Sequence, residues 1–244
     1  MKTVGILGLG NIGRAVADNL VAAGLEVMAV RRPSTQDFRH LAESPAELVR
    51  KCDVVVAALA SEEAMRATYL GADGLVAGAG AGSIVIDMGT FPVTLKRELA
   101  DALTAKGTAM LDCPVSGTPP VVRSRQAVLF VSGDARAIER CRPVLEAITP
   151  KLRAVGPFGA GMALKWAANL LVTINTFATA QAMLLGTRSG IDPQVLIEAL
   201  GTSFAGSPVF NARAPMMAEG RYRPAPQHRA QSSEQLADSE GLVE

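Results

Sequence analysis

The N-terminal run TVGILGLGNIG, residues 3 to 13, constrains this chain more than any other stretch. Thr3 to Leu7 is apolar and β-branched, Gly8-Leu9-Gly10-Asn11-Ile12-Gly13 follows at once, and RAVADNL continues with helix formers. Each glycine of a GxGxxG placed between strand and helix has a physical task. Gly8 permits the tight turn, Gly10 leaves the backbone open to a pyrophosphate, and Gly13 lets the helix pack on the strand. The helix start adds unpaired N–H groups facing the anion. The context predicts a dinucleotide site built on Gly8, Leu9, Gly10, Asn11, Ile12 and Gly13; a glycine turn used only for packing is the alternative.

The next 140 residues alternate β-rich runs with helical patterns, the signature of βαβ units and a mostly parallel sheet. Strands are expected at Thr3–Leu7, Glu26–Val30, Asp53–Leu59, Ser83–Asp87, Ala109–Leu111, Ala127–Ser132 and Leu152–Val155. Helices are expected at Ile12–Ala23, Glu62–Leu70, Pro92–Lys106 and Asp134–Ala147. After Gly161 the pattern is helical only. It opens with Met162–Leu185, a run long enough to bridge two domains, and continues with a helix capped by Asp192-Pro193 and another at Pro208–Ala218. From Arg221 the composition turns polar, which predicts a disordered or weakly docked tail.

Composition removes several classes of function. Lys plus Arg number 24 and Asp plus Glu 23, so no strong field recruits nucleic acid or an acidic membrane. Cys52, Cys113 and Cys141 are scattered and odd in number, which argues against disulfides and zinc and for a reducing cytoplasm. Met162–Leu185 carries Lys165, Asn169, Thr173, Asn175 and Gln181, so it reads as a buried protein helix rather than a membrane span. His40 and His228 lie outside every motif and read as surface residues; no metal site is expected.

Two local patterns point to chemistry. The second strand ends in AVRRPST, with no acid for a ribose 2′-hydroxyl; Arg31, Arg32 and Ser34 supply cations and a hydroxyl suited to a 2′-phosphate. NADP(H) is therefore preferred, with NAD(H) possible, and a plain solvated basic turn is the bland alternative. On the long helix, Lys165, Asn169, Thr173 and Thr176 share one face. A lysine on an otherwise apolar helix loses its proton more readily than usual if buried, which suits proton transfer near neutral pH. The alternative is a lysine that carries its ammonium out to solvent.

Four signposts in order, GLGNIGRAVADNL (8 to 20), VIDMGT (85 to 90), LDCPVSG (111 to 117) and GAGMALKWAANLL (159 to 171), resemble the β-hydroxyacid dehydrogenase family. The likeness implies a Rossmann-like, doubly wound, mostly parallel α/β domain (1–161), a long inter-domain helix and a small helical domain (162–223), with 224–244 as a tail. It implies that Gly8, Gly10, Asn11, Ile12 and Arg32 touch the dinucleotide and that Leu59 and Thr90 lie along ribose and nicotinamide. Ser116, Gly117 and Thr118 would meet the carboxylate of a small substrate, Lys165 would be the catalytic acid and base, and Asn169 would hold the substrate. Lysine at 165 sets the chain apart from imine reductases.

Three departures qualify the resemblance. Thr118 replaces the second glycine of the family's SGG, and Pro119, Pro120, Arg123 and Arg125 replace small residues; the arginines would either bind a second anion or face solvent. Ala60 stands where many members have proline. The tail lacks the family's Lys-Asp pair and closing helices, which makes the helical domain incomplete and suggests truncation or an altered reading frame. Two functions follow: an oxidoreductase passing hydride between NADP(H) and a small 3-hydroxy acid or semialdehyde, working as a homodimer or larger homo-oligomer through the helical part, or a cofactor-binding protein without catalysis.

Overall fold

The computed structural model describes residues 3–221. The tail expected from 224 and His228 lie outside them. The described residues form two compact units, one ending at Lys165 and the other beginning at Trp166.

The first unit is built on a six-stranded parallel sheet: β1 (Thr3–Leu7), β2 (Glu26–Val30), β3 (His40–Ala42), β4 (Val54–Ala57), β5 (Ile84–Asp87) and β6 (Ala109–Asp112). Their order is β3-β2-β1-β4-β5-β6. The chain winds outward from β1 on one side, returns, and winds outward on the other, so strand order reverses between β1 and β4. In open α/β sheets ligands collect at that reversal, beyond the carboxyl ends of the strands.

Helices α1 (Asn11–Ala22), α2 (Pro45–Lys51), α3 (Glu62–Leu70), α4 (Leu75–Gly78) and α5 (Val93–Thr104) connect these strands. Successive strand residues go to opposite faces. Val4, Ile6, Val54, Val56, Ile84 and Ile86 join one core with Val16 and Leu20 of α1. Leu7, Val55, Ala57 and Val85 join the other with Leu48, Met65, Leu95 and Leu99. Both faces are covered, which is why the strands read as continuous apolar runs.

A second, three-stranded sheet follows: β7 (Val115–Ser116), β8 (Val128–Val131) and β9 (Leu152–Ala154), ordered β7-β8-β9, with α6 (Pro119–Arg123) and α7 (Ala135–Ile148) between strands. An antiparallel bridge between Asp112 and Ser132 links the two sheets. Asn19, buried on α1, donates to the carbonyls of Val122 (2.7 Å) and Ile148 (3.0 Å), tying α6 and α7 to the first helix.

Helix α8 (Ala160–Arg188) begins in the first unit and ends in the second. The second unit also holds α9 (Pro193–Thr202) and α10 (Pro208–Ala218), packed around Met183, Leu196, Phe210 and Ala214. Asp192 caps α9 by accepting from Gln194 N–H at 2.7 Å. Gly186 lets α8 and α9 approach, since a Cβ there would stand 2.4 Å from Leu196 Cδ2.

The expectation that the long helix is buried is not met. Leu171, Phe177 and Leu185 are 61, 66 and 71% exposed, and only 17% of its most apolar window is buried. By length and composition α8 is long and apolar enough to cross a membrane. Three of its four threonines, Thr176, Thr179 and Thr187, donate back to the carbonyls of Val172, Asn175 and Met183.

Candidate active site

The glycine turn has the form that a pyrophosphate cradle requires. Gly8 sits at φ +79°, and a Cβ there would lie 2.2 Å from the carbonyl oxygen of Ala58, which follows β4. Gly13 is closer still, with a Cβ position 1.8 Å from the Gly8 carbonyl oxygen. Both glycines are demanded by packing. Gly10 is not, because nothing lies within 4 Å of its Cβ position. It stands at the N-cap of α1 and offers no side-chain cap, so the open space beside it borders the amide groups of the first helical turn. A glycine that the fold does not need, facing open space at a helix N-terminus, fits an anion brought in from outside.

Beside this turn lies a cavity of about 210 Å³ whose lining includes Gly8, Leu9, Arg32, Ser34, Leu59 and Thr68. No acidic residue lines it among the described residues. The two arginines of AVRRPST have separate fates. Arg31 Nε is paired with Glu43 at 2.8 Å, whereas Arg32 borders the cavity and starts a short 3-10 turn, Pro33–Thr35, in which Thr35 Oγ1 accepts from Arg32 N–H. Asp37 is held by Arg14 of α1, whose guanidinium also lies 5.2 Å from the centre of the Phe38 ring. The Arg14 guanidinium keeps the Asp37 carboxyl below its ordinary range.

Thr90, half-buried, lies on the turn between β5 and α5. It is not the helix cap: Pro92 holds that place without a side-chain bond. Ser116 is the last residue of β7, paired with Val128, and Gly117 packs on Ala127, which a Cβ would approach to 2.9 Å. Thr118 is exposed at the start of α6. The arginines that follow are committed to protein partners: Arg123 pairs with Asp18 at 3.5 Å, and Arg125, at φ 58°, donates to the Glu146 carbonyl at 2.7 Å.

Lys165 lies in the second turn of α8 and is part-buried. Burial pushes its ammonium down from the ordinary 10.5 to about 8, and no hydrogen bond or ion pair compensates it among the described residues. Asn169 stands one turn further along the same helix. The cysteines are free, buried thiols; burial raises Cys52 to about 11 and Cys141 to about 12 and Cys113 further, so none is poised as a nucleophile. No cluster of three or more metal-ligating side chains is found among the described residues.

The structure adds a feature that the sequence reading did not contain. Lys96, in the first turns of α5, is fully buried with its Nζ between Asp87 and Asp112, the last residues of neighbouring strands β5 and β6. Nζ also donates to the Gly89 carbonyl at 2.9 Å. Asp112 Oδ2 accepts from Met162 N–H (2.9 Å) and from Ser132 Oγ (3.0 Å), and Ser132 Oγ accepts from Gly161 N–H (3.0 Å). Burial raises the Asp87 carboxyl despite Lys96, and the two carboxylates hold the Lys96 ammonium above its ordinary value despite burial.

Known proteins resemble the chain over most of its length. The family described as the NAD binding domain of 6-phosphogluconate dehydrogenase matches residues 3–156, and NAD-binding of NADP-dependent 3-hydroxyisobutyrate dehydrogenase matches residues 159–230. L-threonate dehydrogenase of Cupriavidus necator is 35% identical over 91% of this chain and 77% of its own length. NAD-dependent L-serine dehydrogenase of Pseudomonas aeruginosa is 33% identical over 85% of this chain and 72% of its own. The structure of Mycobacterium tuberculosis 3-hydroxyisobutyrate dehydrogenase with L-serine superimposes with a TM-score of 0.86 at 28% identity, covering 100% of this chain and 87% of that one. A Rossmann-type sheet with a dinucleotide cradle and a helical second unit defines an NAD(P)-dependent oxidoreductase. The chain belongs to the β-hydroxyacid dehydrogenase family.

Proposed function

We propose that the chain passes hydride reversibly between NADP(H) and a small 3-hydroxy acid or its semialdehyde, with Lys165 as proton donor and acceptor. The observation that carries this reading is the part-buried amine of Lys165, unpaired among the described residues and pushed down to about 8. A base effective near neutral pH needs a pKa in that range. When bound, the dinucleotide supplies or accepts the hydride at its nicotinamide. In oxidation the neutral amine takes the hydroxyl proton as the carbonyl forms; in reduction the ammonium returns it to the carbonyl oxygen. Oxidation therefore rises as pH rises through about 8, and reduction falls.

The remaining residues bind and orient. Gly8 to Gly13 offer the pyrophosphate its amides, and Leu59 and Thr90 border the ribose and nicotinamide. Arg32 and Ser34, at a cavity that no acid lines among the described residues, support a 2′-phosphate and hence a preference for NADP(H). Ser116, Gly117 and Thr118 take the substrate carboxylate, and Asn169 orients the substrate without titrating. Residues 1–161 form the cofactor domain and 162–223 the helical one. The exposed leucines and phenylalanine of α8 support burial against a second copy of the chain, and the free thiols support a cytoplasmic setting.

The test is a panel of 3-hydroxy acids and semialdehydes with NADPH and NADH in parallel, with Lys165→Ala beside the parent. The expected result is turnover by the parent, stronger with NADPH, and a variant that binds NADPH but loses turnover by about a thousandfold or more. Binding by the parent without turnover of any panel member would support a cofactor-binding chain without catalysis.

A further inference from the structure

We propose that Asp112 and Ser132 are positioning residues for Lys165, and that the buried Lys96 cluster locks the start of α8 and the Thr90 turn into one rigid piece. The proposal rests on the reading of Lys165 as the acid and base. Its geometry is independent of that reading.

Two carboxylates end neighbouring strands, one lysine lies between them, and all three side chains are fully buried. An ion cluster of this kind is a poor source of stability, because apolar groups of the same volume serve the core as well or better. What it offers is fixed direction. The Lys96 ammonium donates to Asp112 and to the Gly89 carbonyl and is ion-paired with Asp87, whose Oδ2 lies 2.9 Å away. Gly89 immediately precedes Thr90, so the same ammonium that holds Asp112 also holds the turn placed along the nicotinamide. The far oxygen of Asp112 then receives Met162 N–H, and Ser132 receives Gly161 N–H. These are amide groups of the first turn of α8, which carry no partner within their own helix. The fit leaves no slack, since a Cβ on Gly161 would meet the Phe130 carbonyl oxygen at 2.5 Å and Asp112 Oδ2 at 2.9 Å. Lys165 follows Met162 by three residues, less than one helical turn. Any tilt or fraying of the helix start moves the amine and admits water to it. No carboxylate, histidine or second cation is paired with Lys165 among the described residues, so its proton affinity is set by that burial.

Competitive acetylation of the intact protein with acetic anhydride across pH, read at Lys165 by peptide mass spectrometry, tests this without a substrate. The parent is expected to titrate near 8. Ser132→Ala and Asp112→Asn are expected to shift Lys165 upward by roughly one pH unit as water reaches it. Ser132→Thr, which keeps the hydroxyl, is expected to retain the parent value. Thr149→Val serves as the control for lost stability alone: it removes a buried hydroxyl bonded to the Ala127 carbonyl, remote from α8, and leaves Lys165 unmoved. With 3-hydroxyisobutyrate as substrate, Ser132→Ala should lower kcat by about tenfold or more while NADPH binding stays within about twofold. A parent Lys165 that titrates near 10.5 would refute the function reading itself. A parent near 8 with a folded Ser132→Ala at the same value would refute the positioning role alone, whether or not Asp112→Asn folds.

Discussion

Replacing Lys165 by methionine is expected to stabilise the protein, and the gain should depend on pH in a defined way. The amine titrates at about 8 in the folded chain against an ordinary 10.5. That gap is worth about 3 kcal/mol, at roughly 1.4 kcal/mol per pH unit. The sign follows from proton counting. Between those two values the unfolded chain binds a proton that the folded chain has lost, so stability of the parent rises with pH across that window. Below about 8 both states are protonated and the folded state carries the full cost of a buried ammonium. Methionine has a similar length and no charge, so the variant escapes this cost. Its advantage should be about 3 kcal/mol near pH 7 and about 2 kcal/mol smaller near pH 9.5, on top of any constant packing difference. Urea unfolding of both proteins at the two pH values measures it. A stability difference that does not change between them would mean that the folded structure does not depress the amine, and the account of Lys165 would lose its physical basis.

Three further outcomes are expected. Gly10→Ala should fold with near-parental stability yet bind NADPH at least about tenfold more weakly, whereas Gly13→Ala, with its Cβ 1.8 Å from a carbonyl oxygen, should fail in stability first; thermal melts and cofactor titration separate the two, and equal stability loss would reject the distinction. Arg32→Ala should reduce the NADPH to NADH ratio of kcat/KM by about tenfold or more, while Arg31→Ala, already paired with Glu43, should change it little. Lys96→Met, which leaves two buried carboxylates facing each other, should cost about 3 to 5 kcal/mol in urea unfolding near neutral pH and recover part of it in mild acid, where the carboxyls take up protons; a cost that is absent or independent of pH would contradict the cluster.

The parallel sheet was legible because its strands are buried on both faces and read as unbroken apolar runs between glycines. The elements that escaped were the short ones. His40–Ala42 is a three-residue edge strand, and Val115–Ser116 a two-residue one whose partner, β8, lies across an intervening helix. The chain pattern cannot display such pairings. The glycine roles were legible in kind, but only coordinates separate Gly8 and Gly13, held by backbone contact, from Gly10, which faces open space. Arg31 and Arg32 look equivalent in the sequence; Glu43, twelve residues on, distinguishes them. The Lys96 cluster left two faint signals. Lys96 falls on the same helical stripe as Leu99 and Leu103, and two neighbouring apolar strands each end in aspartate, at Asp87 and Asp112. Neither means much until the strand register sets the carboxylates side by side. The burial of α8 was misjudged because an apolar helix implies a cover but does not say that its own chain supplies it.

The most direct test of the central claim is the pH profile of kcat for hydroxy-acid oxidation in the parent and in Lys165→Ala, without and with small primary amines added to the variant. The parent is expected to show a limb rising through about 8; the variant should lose both that limb and nearly all turnover, and added amine should restore turnover in proportion to its unprotonated fraction. A Lys165→Ala protein that keeps the limb near 8 at parental rate would show that another group moves the proton.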